Sequence, residues 1–307
     1  MTNLFGTDGI RGRVSLDACD DEGALEQIVA ERLLTPQLMK LLGESLGRCL
    51  PEDGEGSLVV VGWDDRPHNE NLAAWLTLGF HASNCEVVHI GCSSTPMLHY
   101  AVLETSARLG CMITASHNPV TDSGIKVFDA HGRKSMPAYE TLVSETAYSL
   151  SQEDREIDEV DRKAWMKPDA QHTVNHQKWL ERRLDLFQSL FEYELSSSVE
   201  LHLDSSKGHA ASWLANWMRS QGLDVEEVSS QAAAMNEGCG AGELSPGQSW
   251  AWDETSSSGH LLIQSLSSRG EGSILGAALD GDGDRCLLAR ETSEGVEVVD
   301  GLSLIHI

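Results

Sequence analysis

Short apolar runs alternate with longer amphipathic segments along the N-terminal half of the chain, and this alternation predicts strands that are each followed by a helix. The apolar runs are rich in Val, Ile and Leu, as the buried strands of α/β proteins are. They occupy residues 58–61, 86–90 and 109–114. Helices are predicted to begin at Thr35-Pro36, Asn69 and Thr95-Pro96, since Thr caps a first turn and Pro fits within it. The alternation predicts a mainly parallel sheet with helices on both faces.

The alternation continues after an acidic and polar stretch at residues 151–163, which we interpret as a linker or an exposed helix end. Apolar residues then recur at helical spacing between 179 and 191. Beyond them, the pattern predicts strands at 199–203, 224–228 and 274–279 and helices at 209–220 and 260–267. Residues 238–259 are rich in Gly, Ser and Pro, which indicates a loop or a domain junction.

These patterns predict consecutive α/β domains with mainly parallel mixed sheets. We place the first domain at residues 1–152, the second at 153–257 and the start of a third at 258–301, which the chain does not finish. Residues 17–34 are predicted to be an acidic insertion before the first long helix.

The charge of the chain narrows the classes of partner. The chain has 307 residues and a formal net charge of -26, so its surface repels nucleic acids and anionic membranes. No apolar stretch approaches the roughly 20 residues that span a bilayer, and no signal peptide precedes the first motif. We therefore predict a cytoplasmic protein with no nucleic-acid and no membrane partner. A phosphate site on this chain must be a local cationic pocket.

The first motif that carries chemistry is Thr114-Ala-Ser-His-Asn-Pro119, which follows a predicted strand. Its proline prevents a regular continuation, so Ser116 is presented on a turn at a strand end, where α/β sheets bind ligands. The pattern lacks the Gly-x-Ser-x-Gly elbow of a serine hydrolase. Taken alone, the motif is also compatible with an ordinary polar turn.

The second motif is Asp280-Gly-Asp-Gly-Asp-Arg285, which lies between two apolar runs. Its glycines allow a sharp turn that brings three carboxylates onto one hard cation. An EF-hand calcium loop is the rival, since Glu291 stands at the twelfth position, but Arg285 replaces the required glycine at the sixth. A solvated acidic turn is the simpler alternative. Magnesium is favoured because three carboxylates leave coordination positions for phosphate oxygens.

The third motif is Leu4-Phe-Gly-Thr-Asp-Gly-Ile-Arg-Gly12, in which glycines surround Thr7, Asp8 and Arg11. A glycine-rich loop with one arginine suits the close approach of an anion. A flexible N-terminal turn is the alternative.

Together the three motifs resemble the α-D-phosphohexomutase family in content and order. Shorter matches are Gly62-Trp-Asp-Asp-Arg66, Ser94-Thr-Pro96, Gly124-Ile-Lys126 and Asn236-Glu-Gly-Cys-Gly240. The resemblance covers residues 1–301. The full opening motif, together with Ala rather than Gly before Ser116, is most similar to the phosphoglucosamine mutase branch.

The resemblance implies an intramolecular phosphotransferase that interconverts sugar 6-phosphate and sugar 1-phosphate, most similar to an enzyme acting on glucosamine phosphate. Ser116 would carry the phosphoryl group, and a sugar 1,6-bisphosphate would be the intermediate and activator. One Mg²⁺ per active site would be held by phosphorylated Ser116 and the three aspartates. By the same resemblance, His117 and Lys126 would transfer the proton of the accepting hydroxyl, and Arg11 would neutralise charge. Thr7 and Arg285 would bind substrate or phosphate.

Three alternatives stay open: a mutase for mannose or glucose phosphates, a non-catalytic sugar-phosphate-binding relative, and a magnesium-dependent phosphatase. The expected partner is a small sugar phosphate, and the protein is expected to be a monomer or a homodimer. The family's sugar-recognition loop and its fourth domain are not found. Residues 302–307 match the translation of a sequencing adapter, so we expect a non-native tail after Gly301.

Overall fold

A computed structural model describes residues 2–50, 56–153, 166–191 and 200–301. The chain forms two compact units, one of Met1–Ala115 with Thr121–Trp179 and one of Ser116–Val120 with Leu180–Ile307. Most of the predicted linker at 151–163 and the whole of the predicted tail at 302–307 lie outside the described residues.

The first unit is built on a six-stranded mixed sheet with the order β2-β1-β6-β5-β3-β4. Its strands are β1 (Ile10–Val14), β2 (Leu33–Leu34), β3 (Leu58–Trp63), β4 (Glu86–Cys92), β5 (Leu109–Ile113) and β6 (Asp122–Asp129). Strand β3 pairs in parallel with β4 and β5, whereas β6 is antiparallel to both β1 and β5. The carboxyl end of β5 leads directly to Ser116.

The helices of the first unit begin largely where the capping signals predict. They are α1 (Asp21–Ala30), α2 (Pro36–Arg48), α3 (Asn69–Ala82), α4 (Thr95–Thr105), α5 (Pro137–Leu150) and α6 (Gln171–Phe191), the last of which runs on into the second unit. The Thr35 side chain accepts a hydrogen bond from the Leu38 amide at the start of α2. For α4 the cap is Ser94, one residue before the predicted start.

Helices α2 and α3 pack closely because glycines face backbone at their crossing. A Cβ atom on Gly43 would lie 2.1 Å from the carbonyl oxygen of Leu76, and one on Gly79 would lie 2.0 Å from that of Lys40. Leu42 and Phe80 are fully buried beside this crossing. The packing covers one face of the sheet and holds β3 and β5 in place.

The second unit has another six-stranded mixed sheet, with the order β8-β7-β10-β11-β12-β9. Its strands are β7 (Glu200–Asp204), β8 (Asp224–Glu227), β9 (Ser249–Ala251), β10 (Ile274–Leu279), β11 (Cys286–Glu291) and β12 (Gly295–Val299). Strands β8, β7 and β10 are parallel, and the remaining pairs are antiparallel. The helices are α7 (Leu214–Ser220), α8 (Trp252–Thr255) and α9 (Leu261–Ser265).

These two sheets confirm the predicted α/β class, while several predicted elements differ in detail. The predicted boundary at 257/258 falls inside the second sheet, because β10 pairs with β7, so the structure does not separate a second and a third domain there. Within the predicted insertion at 17–34 lies α1, whose cap is the Asp20 side chain. The predicted loop at 238–259 contains β9 and α8.

Two predicted helices of the second unit also differ from the pattern. The segment 209–220 divides into a short 3-10 turn, His209–Ser212, and α7. The apolar stripe at the end of α6 is not covered by the described residues, since Phe187, Leu190 and Phe191 are 49%, 62% and 68% exposed. Helical spacing shows which face is apolar but does not show whether a neighbour covers it.

Candidate active site

Ser116 stands at the carboxyl end of β5 in a strained turn. Its φ is 56°, in the left-handed region that residues other than Gly, Asn and Asp rarely adopt. Strain of this kind persists only where surrounding contacts impose it, and it is concentrated at functional sites. The residue is buried, and its Oγ donates a hydrogen bond to Oδ2 of Asp280. Ser116 and Asp280 both belong to the second unit.

The turn after Ser116 is held by the side chain of Asn236. The Asn236 Nδ2 donates to the carbonyl oxygen of Ser116 at 2.9 Å and to that of Asn118 at 3.0 Å. The amide is oriented in turn by Ser206, whose Oγ donates to Asn236 Oδ1. A single side chain therefore fixes both ends of the segment from Ser116 to Asn118.

The three aspartates of the second motif converge as that motif predicts. One ligand atom from each of Asp280, Asp282 and Asp284 lies within 4.8 Å of the other two. The loop turns at Gly283, which has a φ of 70°. A side chain at Gly281 is excluded, because its Cβ would lie 2.8 Å from the carbonyl oxygen of Ser116. The turn that carries Ser116 thus packs on the backbone of the aspartate loop.

The three aspartates of this loop repel one another electrostatically. Burial, followed by the neighbouring charges of Asp282 and Asp284, raises the pKa of Asp280 to about 6. The hydrogen bond from Ser116 and the backbone amide of Arg285 act in the opposite direction but do not cancel the effect. A divalent cation would remove the repulsion, and a set of carboxylate oxygens without sulfur or imidazole suits Mg²⁺ or Ca²⁺. The residues present therefore fit a hard cation.

Two further predicted residues lie beside this loop in the second unit. The Nε of Arg285 is 3.8 Å from Oδ2 of Asp280, and its side chain is 48% exposed. His117 is partly buried, and a Cβ on Gly242 would come within 2.5 Å of the His117 Cβ. The structure thus brings together Ser116, His117, Arg285 and the three aspartates.

Thr7, Arg11 and Lys126, which were also predicted, belong to the first unit and centre on a carboxylate that the resemblance did not single out. Thr7 is exposed at the tip of a turn closed by the 2.8 Å hydrogen bond from the Gly6 amide to the Gly9 carbonyl. Asp8, beside Thr7, pairs with Arg11, with Lys134 and, at 3.7 Å, with the Nζ of Lys126.

The balance of charge around Asp8 is opposite to that in the aspartate loop. Burial raises the pKa of Asp8, but the hydrogen bond from Lys134 and the charges of Lys126, Lys134 and Arg11 together hold it below its ordinary value. Arg11 also donates from Nη1 to the carbonyl oxygen of Ala115 at 3.1 Å. Three cations against one carboxylate make this group suitable for an anion. Sequence spacing could not reveal Lys134, which is brought to Asp8 by the fold.

A buried polar network in the first unit supports the strand end that precedes Ser116. The carboxylate of Asp64 accepts hydrogen bonds from Arg66 at 2.5 Å, Asn69 at 2.7 Å and Thr114 at 2.6 Å. Asn69 also donates to the Ile113 carbonyl at 3.0 Å. The motif Gly62-Trp-Asp-Asp-Arg66 therefore contributes to holding β5 and Thr114, two residues before Ser116.

Known proteins match both the sequence and the fold. Residues 2–154 match the model of the family described as Phosphoglucomutase/phosphomannomutase, alpha/beta/alpha domain I. The chain is 29% identical to the phosphoglucosamine mutase of Corynebacterium aurimucosum over 100% of this chain and 60% of that protein. It is 31% identical to the phosphoglucosamine mutase of Frankia casuarinae over 98% of this chain and 58% of that protein.

Solved structures give the same assignment of fold. A protein from Thermus thermophilus assigned as a phosphomannomutase matches with a TM-score of 0.66 and 25% identity, over 94% of this chain and 57% of that one. A phosphoglucomutase/phosphomannomutase family protein from Burkholderia thailandensis has the same fold, with a TM-score of 0.62 at 17% identity over 96% of this chain and 56% of that one.

These matches agree with the three motifs and support an α-D-phosphohexomutase. Its sequence is similar to phosphoglucosamine mutases along its whole length, and it spans 60% or less of the length of the curated relatives named above. Within the described part of the chain, no helix is long and apolar enough to cross a membrane.

Proposed function

We propose that this chain acts in the transfer of a phosphoryl group between the 6- and 1-hydroxyls of a hexose phosphate, and that Ser116 carries the group. One observation carries the proposal: the Ser116 hydroxyl is hydrogen-bonded to Asp280, the first of three converging carboxylates. A nucleophilic hydroxyl directly beside a site for a hard cation is the arrangement that phosphoryl transfer requires.

The proposed cation is Mg²⁺, held by Asp280, Asp282 and Asp284 and by an oxygen of phosphorylated Ser116. When bound, it would neutralise charge on the phosphoryl oxygens. The chain's own residues then have mainly to position the reacting groups, because phosphoryl transfer demands little covalent chemistry from the protein. Asn236 holds the carbonyl groups around Ser116, and this limits the directions in which the serine oxygen can point.

In the proposed cycle, the bond between Ser116 Oγ and phosphorus breaks while the free hydroxyl of the sugar monophosphate forms a new bond to the same phosphorus. The hydroxyl proton passes to a base, for which His117 and Lys126 are our candidates. The resulting sugar 1,6-bisphosphate then returns its other phosphoryl group to Ser116. The bond between that phosphorus and its sugar oxygen breaks as the bond to Ser116 Oγ forms, and the base returns its proton to the sugar oxygen. Thr7, Arg11 and Arg285 are proposed to bind phosphate.

The preferred sugar in this proposal is glucosamine phosphate, because of the similarity to phosphoglucosamine mutases. Mannose and glucose phosphates are the competing substrates. The same similarity underlies our proposal of a cytoplasmic enzyme.

The test is to incubate the purified chain with a hexose 1,6-bisphosphate and Mg²⁺ and to map any phosphate by peptide mass spectrometry. We expect phosphate on Ser116 in the unmodified chain, and no phosphorylation in Ser116→Ala. A control variant, Ser220→Ala, alters an exposed serine of α7 and should be phosphorylated at Ser116 as usual. Phosphate on another residue, or equal labelling of Ser116→Ala, would overturn the proposal.

Coupled assays on glucosamine, mannose and glucose 6-phosphates would then rank the substrates. Release of inorganic phosphate faster than formation of any sugar 1-phosphate would favour a phosphatase instead.

A further inference from the structure

A second group of metal-ligand side chains lies on the sheet of the second unit. Glu200 and His202 project from the same face of β7, since they are two residues apart, and Glu226 of β8 is the register partner of His202. One ligand atom from each of these residues lies within 4.8 Å of the other two. The three strand positions are therefore adjacent on one face.

The buried imidazole of His202 distinguishes this group from an ordinary acidic surface patch. The side chain of His202 is only 8% exposed, and its Nδ1 is buried without a hydrogen-bond partner among the described residues. That nitrogen lies 3.8 Å from Oε2 of Glu226, too far for a hydrogen bond. A buried polar atom left without a partner destabilises the folded state, and a bound cation would satisfy it.

We propose that Glu200, His202 and Glu226 form a binding site for a divalent transition-metal ion of the zinc class. The donor set differs from that of the aspartate loop, because one imidazole nitrogen joins two carboxylates. Imidazole suits Zn²⁺, Co²⁺ and similar ions, whereas Mg²⁺ prefers oxygen ligands alone. Three protein ligands leave at least one coordination position for water.

An ion bound at this site would connect two neighbouring strands of the sheet. Strand β8 is the edge strand and β7 is its only partner in the sheet as described. Because the ligands come from both strands, the ion would join the edge strand to its neighbour and stabilise the folded state by mass action.

Arg269 provides an internal check on this proposal. Its Nη2 lies 3.6 Å from Oε2 of Glu200, so the guanidinium places a positive charge beside the ligands. A cation at the site would be repelled by that charge. Removal of the Arg269 charge should therefore tighten metal binding, whereas removal of a ligand should weaken it.

The experiment is a titration of the full chain with Co²⁺, followed by isothermal calorimetry and by the visible absorption of the ion. It is performed in the Asp282→Asn background, so that the aspartate loop contributes as little as possible. We expect Co²⁺ binding without the intense absorption band of cobalt–thiolate bonds, and an increase in melting temperature with Zn²⁺. Absence of binding, or a thiolate spectrum, would overturn the proposal.

Variants assign the ligands. Glu226→Gln and His202→Gln should weaken binding by more than the roughly 10- to 100-fold that loss of an outer-shell partner causes, and Arg269→Gln should strengthen it. Glu271→Gln alters an exposed carboxylate outside the group and should leave binding unchanged. The Glu226 side chain is 54% exposed, so its variant is expected to fold. Unchanged Co²⁺ affinity in Glu226→Gln and His202→Gln would contradict the site.

Discussion

The two units differ in the charges that surround their clustered carboxylates. In the second unit, Asp280, Asp282 and Asp284 converge, and burial together with the charges of Asp282 and Asp284 raises the pKa of Asp280 to about 6. In the first unit, three cations surround the single carboxylate of Asp8 and hold its pKa below the ordinary value. The carboxylates of the aspartate loop therefore repel one another, whereas the charge of Asp8 is already partly neutralised by its neighbours.

The comparison teaches how far each group depends on a ligand. Removing one carboxylate from the aspartate loop should relieve this repulsion and, under the proposed function, should abolish cation binding. Removing one cation from the group around Asp8 leaves two others in place. We therefore expect large ligand-dependent effects in the second unit and small, ligand-independent effects in the first.

The largest effect is expected for Asp282→Asn. At a Mg²⁺ concentration about 100 times the dissociation constant, binding stabilises a protein by about 2.7 kcal/mol, and this variant should lose that gain. Without metal, the same variant should be more stable than the unmodified chain, because Asp280 then faces one charged neighbour fewer. Urea unfolding with and without Mg²⁺ measures both effects.

The control for this prediction is Asp253→Asn, which neutralises an exposed aspartate of α8. It should retain the full stabilisation by Mg²⁺. Equal Mg²⁺ stabilisation in Asp282→Asn and in the control would show that the converging aspartates do not hold the ion.

The second effect concerns the amide that holds the Ser116 turn. Asn236→Ala removes the hydrogen bonds to the Ser116 and Asn118 carbonyls. At about 0.5–1.5 kcal/mol for each bond, the free energy of unfolding should fall by about 1–3 kcal/mol. Phosphorylation of Ser116 should slow as well, since the strained φ of this residue loses its support.

Asn216→Ala is the matched control, because Asn216 is exposed on α7. It should change neither unfolding nor phosphorylation appreciably. A normal phosphorylation rate in Asn236→Ala, measured by the mass-spectrometric assay, would mean that the turn keeps its geometry without the amide.

The third prediction is a pH dependence that arises from Asp280. Its pKa is raised from 3.8 to about 6, so the proton bound to this carboxyl stabilises the metal-free fold fully at low pH. That contribution is lost as the pH rises through about 6. Mg²⁺ competes with the same proton, so each pH unit below this range should weaken binding by up to about tenfold, or about 1.4 kcal/mol.

Thermal shifts on addition of Mg²⁺, measured between about pH 5 and pH 8, test this dependence. We expect the shift to grow with pH and to level off above the Asp280 pKa. A shift that is the same at both extremes would show that this carboxyl does not compete for the ion.

The sequence predicted the aspartate loop better than the group around Asp8, and the reason is physical. Asp280, Asp282 and Asp284 are separated by single glycines, so local chain geometry alone brings them together. Lys134 reaches Asp8 only because the fold joins residues 126 positions apart. Spacing cannot reveal such a contact.

The same distinction applies to the fold. Strand β10 was predicted at its observed bounds, because six consecutive apolar or small residues indicate a buried strand. Whether β10 starts a new domain depends on its pairing with β7, about 70 residues earlier, and periodicity does not contain that information. The hydrogen bonds from Asn236 to the Ser116 and Asn118 carbonyls were likewise not predicted, although the loop at 236–240 resembles a loop of the family.

The smallest effect is expected for Lys134→Gln, which tests the redundancy of the group around Asp8. The Lys134 side chain is 59% exposed, and exposed ion pairs contribute about 0–1 kcal/mol, so the free energy of unfolding should change by less than about 1 kcal/mol.

Lys126 pairs with the same carboxylate but is only 2% exposed. Its glutamine variant should cost more, about 1–3 kcal/mol, because the buried amide that replaces the ammonium group must satisfy its polar atoms away from solvent. Chemical unfolding of both variants in parallel measures the difference. An equal loss in the two would show that Asp8 needs every cation, and that the first unit is no more tolerant than the aspartate loop.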